Sequence, residues 1–199
     1  MDYKKPISDF YACRCAAHGD CGWKAANYEG GTNQDGTFVK LMRLVGKQSG
    51  TLLDVGCGQG DLFEVIDSRG LDVIYTGIDL CPPMIGYAKA RFPEGRFEVA
   101  DVLEYEHPHD FVVAAGAMNL NFPDHWQYTH QMIGKMWALA RKGVAFNLLS
   151  DSYQDYEHHP ELAYHDPADI LRYCLTLSKS LFLDHHCSGY DFCIYMHKK

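Results

Sequence analysis

An α/β fold is predicted: a doubly wound sheet of seven strands, mostly parallel, ending in a C-terminal antiparallel hairpin and carrying helices on both faces. Three observations predict it. Strand-length apolar runs alternate with helix-period segments between about residues 51 and 149. A glycine-rich turn joins the first of those strands to the first of those helices. Two β-rich runs separated only by Cys187, Ser188 and Gly189 close the chain, a link short enough for a hairpin. Regular strand–helix alternation implies a parallel sheet covered on both faces.

The character of the sequence changes near residues 50 and 150, which divides 1–50 from the 51–199 domain and sets off a last zone within it. In the first zone a glycine-punctuated loop precedes a short helix over 37–45. Phe38, Leu41, Met42 and Val45 recur there at helical spacing, with Asp35 or Thr37 as cap and Gly46 as stop. Strands follow at 51–56, Val73–Asp79, 96–100, 111–116 and 144–149. Between them a helix runs over 61–69 to Gly70, and a second opens on Pro82 and Pro83, since proline is tolerated in a first turn. A third helix starts after Asp124, puts Trp126, Ile133, Met136, Trp137 and Ala140 on one face, and closes on Arg141, Lys142 and Gly143. The polar stretch 151–169 is longer than most loops in a compact domain, so it is read as a lid or a solvated surface segment. A helix over Pro167–Leu177 and strands at 180–186 and 190–197 complete the chain.

Composition narrows the function classes. The chain has 199 residues, 47% hydrophobic and 22% charged, enough to bury one core. Its formal charge of −8 is the wrong sign for a partner held by phosphate neutralisation, so neither nucleic acid nor an anionic membrane is expected. No apolar run approaches the ~20 residues that span a bilayer, and the N-terminal residues lack the apolar core of a signal peptide. A cytoplasmic protein with reduced thiols is therefore expected, all eight cysteines included, with Cys187 and Cys193 as buried packing thiols.

The strongest local signal is Asp54-Val55-Gly56-Cys57-Gly58-Gln59-Gly60-Asp61. Glycines let a backbone approach a ligand closely. A dinucleotide fingerprint fails here because Asp61 puts negative charge where a pyrophosphate would sit, and a phosphate-cradling loop fails because no Gly-Lys-Ser/Thr follows. An acid on the strand before the turn suits instead a ligand carrying a positive amino-acid group. Asp79 ends the second strand, where an acid takes the hydroxyls of a ribose, and Asp101 follows the third, where a carboxylate can accept from an exocyclic amine. Three acids thus sit at the carboxyl ends of three consecutive strands.

These segments, with 97–102 and 111–118, resemble the motifs of class I S-adenosylmethionine-dependent methyltransferases, including small bacterial members. The resemblance implies a Rossmann-like fold, S-adenosylmethionine as methyl donor and S-adenosylhomocysteine as product. It implies that Gly56, Cys57 and Gly58 meet the methionine portion with Asp54 as its acid, and that Asp79 takes the ribose. Leu80 would pack on the adenine, Asp101 and the Val102 amide would read the adenine edge, and Ala115 and Gly116 would line the sulfonium region. It also implies that residues 1–50 form a cap over the cofactor, so that Tyr11, Trp23 and Tyr28 can wall the acceptor pocket.

The acceptor half is less marked. The segment after the fourth strand, Ala117 to Pro123, lacks the Asn/Asp-Pro-Pro-Tyr/Phe of many amino methyltransferases, but Asn119 is placed to touch an acceptor, with Trp23 as its aromatic wall. Asn147 and Ser150 are further candidates, and the histidines of 151–169 could supply a base. Cys13, Cys15, His18 and Cys21 lack the paired knuckles of common zinc modules, so no metal is assigned. The expected function is methyl transfer to a small molecule. Aminopropyl transfer, cyclisation or cleavage of the same donor, and a non-catalytic donor-binding subunit, stay open as alternatives.

Overall fold

Alternation along the central strands sends successive side chains to two different cores. A computed structural model shows both; it describes residues 2–20, 22–26, 31–153, 157–185, 187 and 189–198, and only the backbone of Trp23 and of 31–33. The strands are β1 (Gly50–Val55), β2 (Val73–Asp79), β3 (Phe97–Val99), β4 (His109–Ala114), β5 (Ala140–Ser150), β6 (Tyr164–His165), β7 (Leu181–Asp184) and β8 (Asp191–His197). The helices are α1 (Lys4–His18), α2 (Gly22–Ala25), α3 (Gly31–Leu41), α4 (Asp61–Ser68), α5 (Pro82–Arg91), α6 (His125–Leu139) and α7 (Pro167–Leu177).

The sheet runs β3-β2-β1-β4-β5-β8-β7, parallel from β3 to β5, with β8 antiparallel to both β5 and β7. The two-residue β6 adds to the end of β5. Leu52, Phe111, Val113 and Ala145 face α3, α4 and α5; Leu53, Val112, Ala114, Val144 and Phe146 face α1, α6 and α7. The chain leaves β1 for β2 and β3 on one side and returns for β4 on the other. That switch point opens a crevice beyond the carboxyl ends of β1 and β4, where open α/β sheets bind ligands.

Several features differ from the sequence reading. The N-terminal zone is not a loop before one short helix, because α1 runs for 15 residues and α3 starts at Gly31, then tightens into a 3-10 turn at Met42–Leu44. Asp35 and Thr37 therefore lie inside α3 rather than ahead of it. The helix α1 buries chiefly Ile7 and Cys15, too sparse an apolar stripe to register as a period. Arg141, Lys142 and Gly143 open β5 rather than closing α6: the helix passes into the strand at Ala140 with no intervening loop. Asp124 does precede α6, but in the left-handed region at φ 64° and without a side-chain cap bond.

The 151–169 stretch is stitched down in its described part. Ala163 N donates to Asn119 O (2.9 Å), Asn121 N to Glu161 O (2.8 Å) and Asp151 N to His165 O (3.1 Å), so it packs on the loop after β4. Finally, Cys187 and Cys193 form a disulfide with Cα atoms 5.5 Å apart, where reduced thiols were expected. The hairpin brings Cys187 onto β8, its amide donating to Asp191 O (3.2 Å), and within reach of Cys193.

Candidate functional site

The glycine turn takes its shape from three left-handed residues, Gly56 (φ 72°), Gly58 (φ 55°) and Gly60 (φ 84°). A Cβ on Gly56 would lie 2.5 Å from that of Ala117, whereas one on Gly58 would meet nothing within 4 Å. Gly56 thus lets β1 and the β4 loop approach each other, and Gly58 leaves open space. The amides of Gly56 and Cys57 both donate to Ile78 O (2.8 and 3.0 Å), pinning the turn to β2.

Beside this turn a pocket of about 800 Å³, its open mouth included, lies over the switch point. Asp54, Gly56, Cys57, Gly58, Asp79, Leu80, Asp101, Val102, Ala115 and Gly116 all line it. The fold therefore brings together ten positions scattered over four strand ends.

Each of the three acids is held differently. Asp54 is buried and accepts from Tyr75 Oη at 2.7 Å. Burial pushes its carboxyl up to about 7, against the opposing pull of the Tyr75 bond, with Asp79 and Asp61 raising it further. Asp79 accepts from Gly58 N (3.0 Å) and Cys81 N (2.8 Å), linking the glycine turn to the start of α5; burial raises its carboxyl and those amides oppose the shift. Asp101 accepts from Leu103 N on Oδ1 (2.9 Å) and from Tyr3 Oη on Oδ2 (2.6 Å), with Lys4 Nζ 3.0 Å from Oδ2.

Residues that the sequence reading did not single out complete the lining. Ile7 stands with the expected Tyr11 on α1, Gln34 and Phe38 on α3, and Tyr128 and Met132 one turn apart on α6. Of these, Phe38 was read only as an apolar position of a short helix, and Ile7, Gln34, Tyr128 and Met132 carried no signal in the sequence. Gln34 Nε2 donates to Asp61 Oδ2 (3.3 Å), and Asp61 pairs with Arg91 at 2.5 Å. No Lys or Arg lines the pocket among the described residues.

Asn119 is not among the lining residues; its Oδ1 is buried with no hydrogen-bond partner among the described residues. Trp23 lies in α2, but its side chain falls outside the described residues, as does all of Tyr28. Asn147 and Ser150 are not among the lining residues of the pocket. Asn147 ties Gly116 N (2.8 Å) to Asp191 (2.6 Å), and Ser150 bonds His185 (3.0 Å). Cys13 is exposed and Cys15 buried, and Cys21 lies outside the described residues; among those residues no group of three or more His, Cys, Asp or Glu is arranged to hold a metal ion. No helix among them is long and apolar enough to cross a membrane.

Residues 52–143 match a family model described as a methyltransferase domain. The methyltransferase-family protein Rv1506c of Mycobacterium tuberculosis is 33% identical over 156 residues, spanning 73% of this chain and 91% of that protein. The chain belongs to the class I S-adenosylmethionine-dependent methyltransferases. This methyltransferase is also 30% identical over 120 residues to trans-aconitate 2-methyltransferase of an Enterobacter species, covering 59% of the chain but only 46% of that relative. Its fold overlays that of magnesium protoporphyrin IX methyltransferase from Synechocystis, crystallised with S-adenosylmethionine. The TM-score is 0.73, at 16% identity, over 100% of this chain and 98% of that one.

Proposed function

We propose that this methyltransferase binds S-adenosylmethionine in the pocket over β1, β2 and β4 and transfers its methyl group to a small-molecule acceptor. The observation that carries the reading is the convergence of Asp54, Asp79 and Asp101 on one pocket whose glycine turn leaves room for a ligand. The donor supplies an electrophilic methyl on a sulfonium. Gly56, Cys57 and Gly58 would bound its methionine portion, with Asp54 facing the ammonium; Ala115 and Gly116 would border the sulfur. Asp79 would take the ribose hydroxyls, Leu80 the adenine face, and Asp101 with the Val102 amide the adenine edge. The residues fit that ligand in charge as well, since a cationic sulfonium and ammonium meet a lining without Lys or Arg among the described residues.

The chain's own contribution to rate is positioning, which can supply ~7–11 kcal/mol of a bimolecular barrier. Ile7, Tyr11, Gln34 and Phe38, all from residues 1–50, line the pocket and would exclude water, which supports reading the N-terminal segment as a cap on the 51–199 domain. Asn119 and Trp23 are proposed to meet the acceptor. A small molecule, rather than nucleic acid or a membrane, suits the net charge of −8 and this enclosure, and trans-aconitate, named for one relative, is of that class. Cytoplasmic residence belongs to the same reading.

A product assay on a panel of small acceptors tests it. S-adenosylhomocysteine formed in proportion to methylated acceptor supports the reading. Methylthioadenosine would instead mark a reaction at the donor's amino-acid portion, that is aminopropyl transfer, cyclisation or cleavage, and donor binding without turnover on any acceptor would favour a non-catalytic subunit.

A further inference from the structure

The carboxylate at the end of β3 is built into more than the pocket wall. Asp101 has a side chain only 4% exposed, and its two oxygens are used unequally. The Leu103 amide takes one acceptor position on Oδ1 (2.9 Å), while Tyr3 Oη (2.6 Å) and Lys4 Nζ (3.0 Å) both meet Oδ2. A carboxylate oxygen offers about two acceptor positions, so among the described residues Oδ2 is filled by Tyr3 and Lys4, and one position on Oδ1 remains for a ligand.

Of the two groups at the start of α1, Tyr3 is the fixed one. It is 8% exposed, and its ring packs on Tyr128 at 4.8 Å between centroids, itself part of the pocket wall. Lys4 is 46% exposed and shared with Glu104 (2.6 Å), an arrangement that solvent screens. Without the Tyr3 hydroxyl, only the Leu103 amide and the solvent-screened Lys4 would hold the carboxylate plane, leaving it free to tilt and turn the Oδ1 acceptor position away from a ligand.

We propose that Tyr3 is a specificity-positioning residue: its hydroxyl locks the Asp101 carboxylate so that Oδ1 faces the purine 6-position and selects a 6-amino over a 6-oxo base. This rests on the assignment of Asp101 to the adenine edge. An acceptor-only carboxylate attracts an amino group and repels a carbonyl oxygen, and the discrimination holds only while the acceptor is fixed.

The test is titration calorimetry with S-adenosylmethionine and with its 6-oxo counterpart, S-inosylmethionine, on the wild type, Tyr3→Phe and Asp101→Asn, alongside ligand-free melts. The wild type should prefer the 6-amino ligand by at least about tenfold, the worth of one hydrogen bond to a charged group. Tyr3→Phe, which keeps the ring on Tyr128, should lower affinity for S-adenosylmethionine by about tenfold while leaving the 6-oxo ligand nearly unchanged. Replacing Tyr3 by 3-fluorotyrosine keeps the hydroxyl and should keep the preference. Equal loss for both ligands in Tyr3→Phe, an unchanged preference, or loss in the fluorotyrosine protein would overturn the role of Tyr3. An unchanged preference in Asp101→Asn would overturn the adenine assignment itself, and the proposal with it.

Discussion

The phenol of Tyr75 reaches the Asp54 carboxylate, 2.7 Å away on the neighbouring strand, across the space left by Gly77. Asp54 and Gly77 are partners in the parallel register, and Tyr75 lies two residues before Gly77 on the same face. A Cβ on Gly77 would come within 2.8 Å of Tyr75 Oη and 2.9 Å of Cys57 Sγ, so the glycine, the tyrosine and the acid form one unit.

That unit makes stability depend on pH. The folded Asp54 carboxyl sits at about 7 against an unfolded value near 3.9, so its contribution is complete below pH 4 and is lost as pH rises through 7. The loss is about 4 kcal/mol in the ligand-free protein. Asp54→Asn should remove this component, and urea titrations from pH 4 to 8 check it. Wild-type and variant curves of equal slope would contradict the coupling.

His165 works in the opposite direction over an overlapping window. It is 1% exposed, packs 5.7 Å from both the His125 and Trp126 rings, and burial lowers it to about 4, with His125 adding to the shift. A histidine buried neutral is protonated first in the unfolded chain, so stability falls as pH drops from about 6.5 through 4, by about 3 kcal/mol. Wild type superimposes this loss on the Asp54 gain. His165→Phe should therefore be relatively stabilised at pH 4.5 compared with pH 7.5; the same difference from wild type at both values would remove His165 from the acid response.

Gly56 and Gly58 should separate folding from binding. Gly58→Ala adds a methyl in open space at φ 55°, so backbone strain alone costs about 1 kcal/mol, while the methyl intrudes on the ligand's room. Gly56→Ala adds a clash with Ala117 to the same strain and should cost about 2–4 kcal/mol. Denaturation midpoints and donor titrations on both variants test the contrast. Equal destabilisation would show that the β1–β4 approach at Gly56 is not tight.

The Cys187–Cys193 bridge closes a short loop, and breaking it should cost about 2 kcal/mol on loop entropy. A reducing compartment would hold such a pair open, so the bridge counts against the proposed cytoplasmic residence. Thiol counting on protein isolated under acidic quench should find both cysteines unreactive until reductant is added. Full labelling without reductant would support the reduced state that composition suggests.

The central sheet and the ten positions that gather on one pocket were legible because their signals are local. The run from Asp54 to Asp61 has alternation, glycines and an acid in one stretch, and Asp79 and Asp101 fall at strand ends that hydropathy marks. Tyr75 and Tyr3 were not legible as partners of those acids, since one depends on β1–β2 register and the other on a contact across 98 residues. The helix α1 was missed because its exposed face outweighs Ile7 and Cys15. The α6–β5 junction was missed because no turn residue separates Leu139 from Ala140. Cys187 and Cys193 read as packing thiols because only the hairpin brings them together.

Donor binding tests the central claim most directly: titration calorimetry of the wild type and Asp79→Ala with S-adenosylmethionine and S-adenosylhomocysteine, with NAD as control. Asp79 holds the Gly58 and Cys81 amides at the pocket wall, so the wild type should bind both sulfur ligands at micromolar concentration and ignore NAD, and Asp79→Ala should bind neither. Unchanged affinity in Asp79→Ala, or wild-type binding of NAD in preference to the sulfur ligands, would contradict the account.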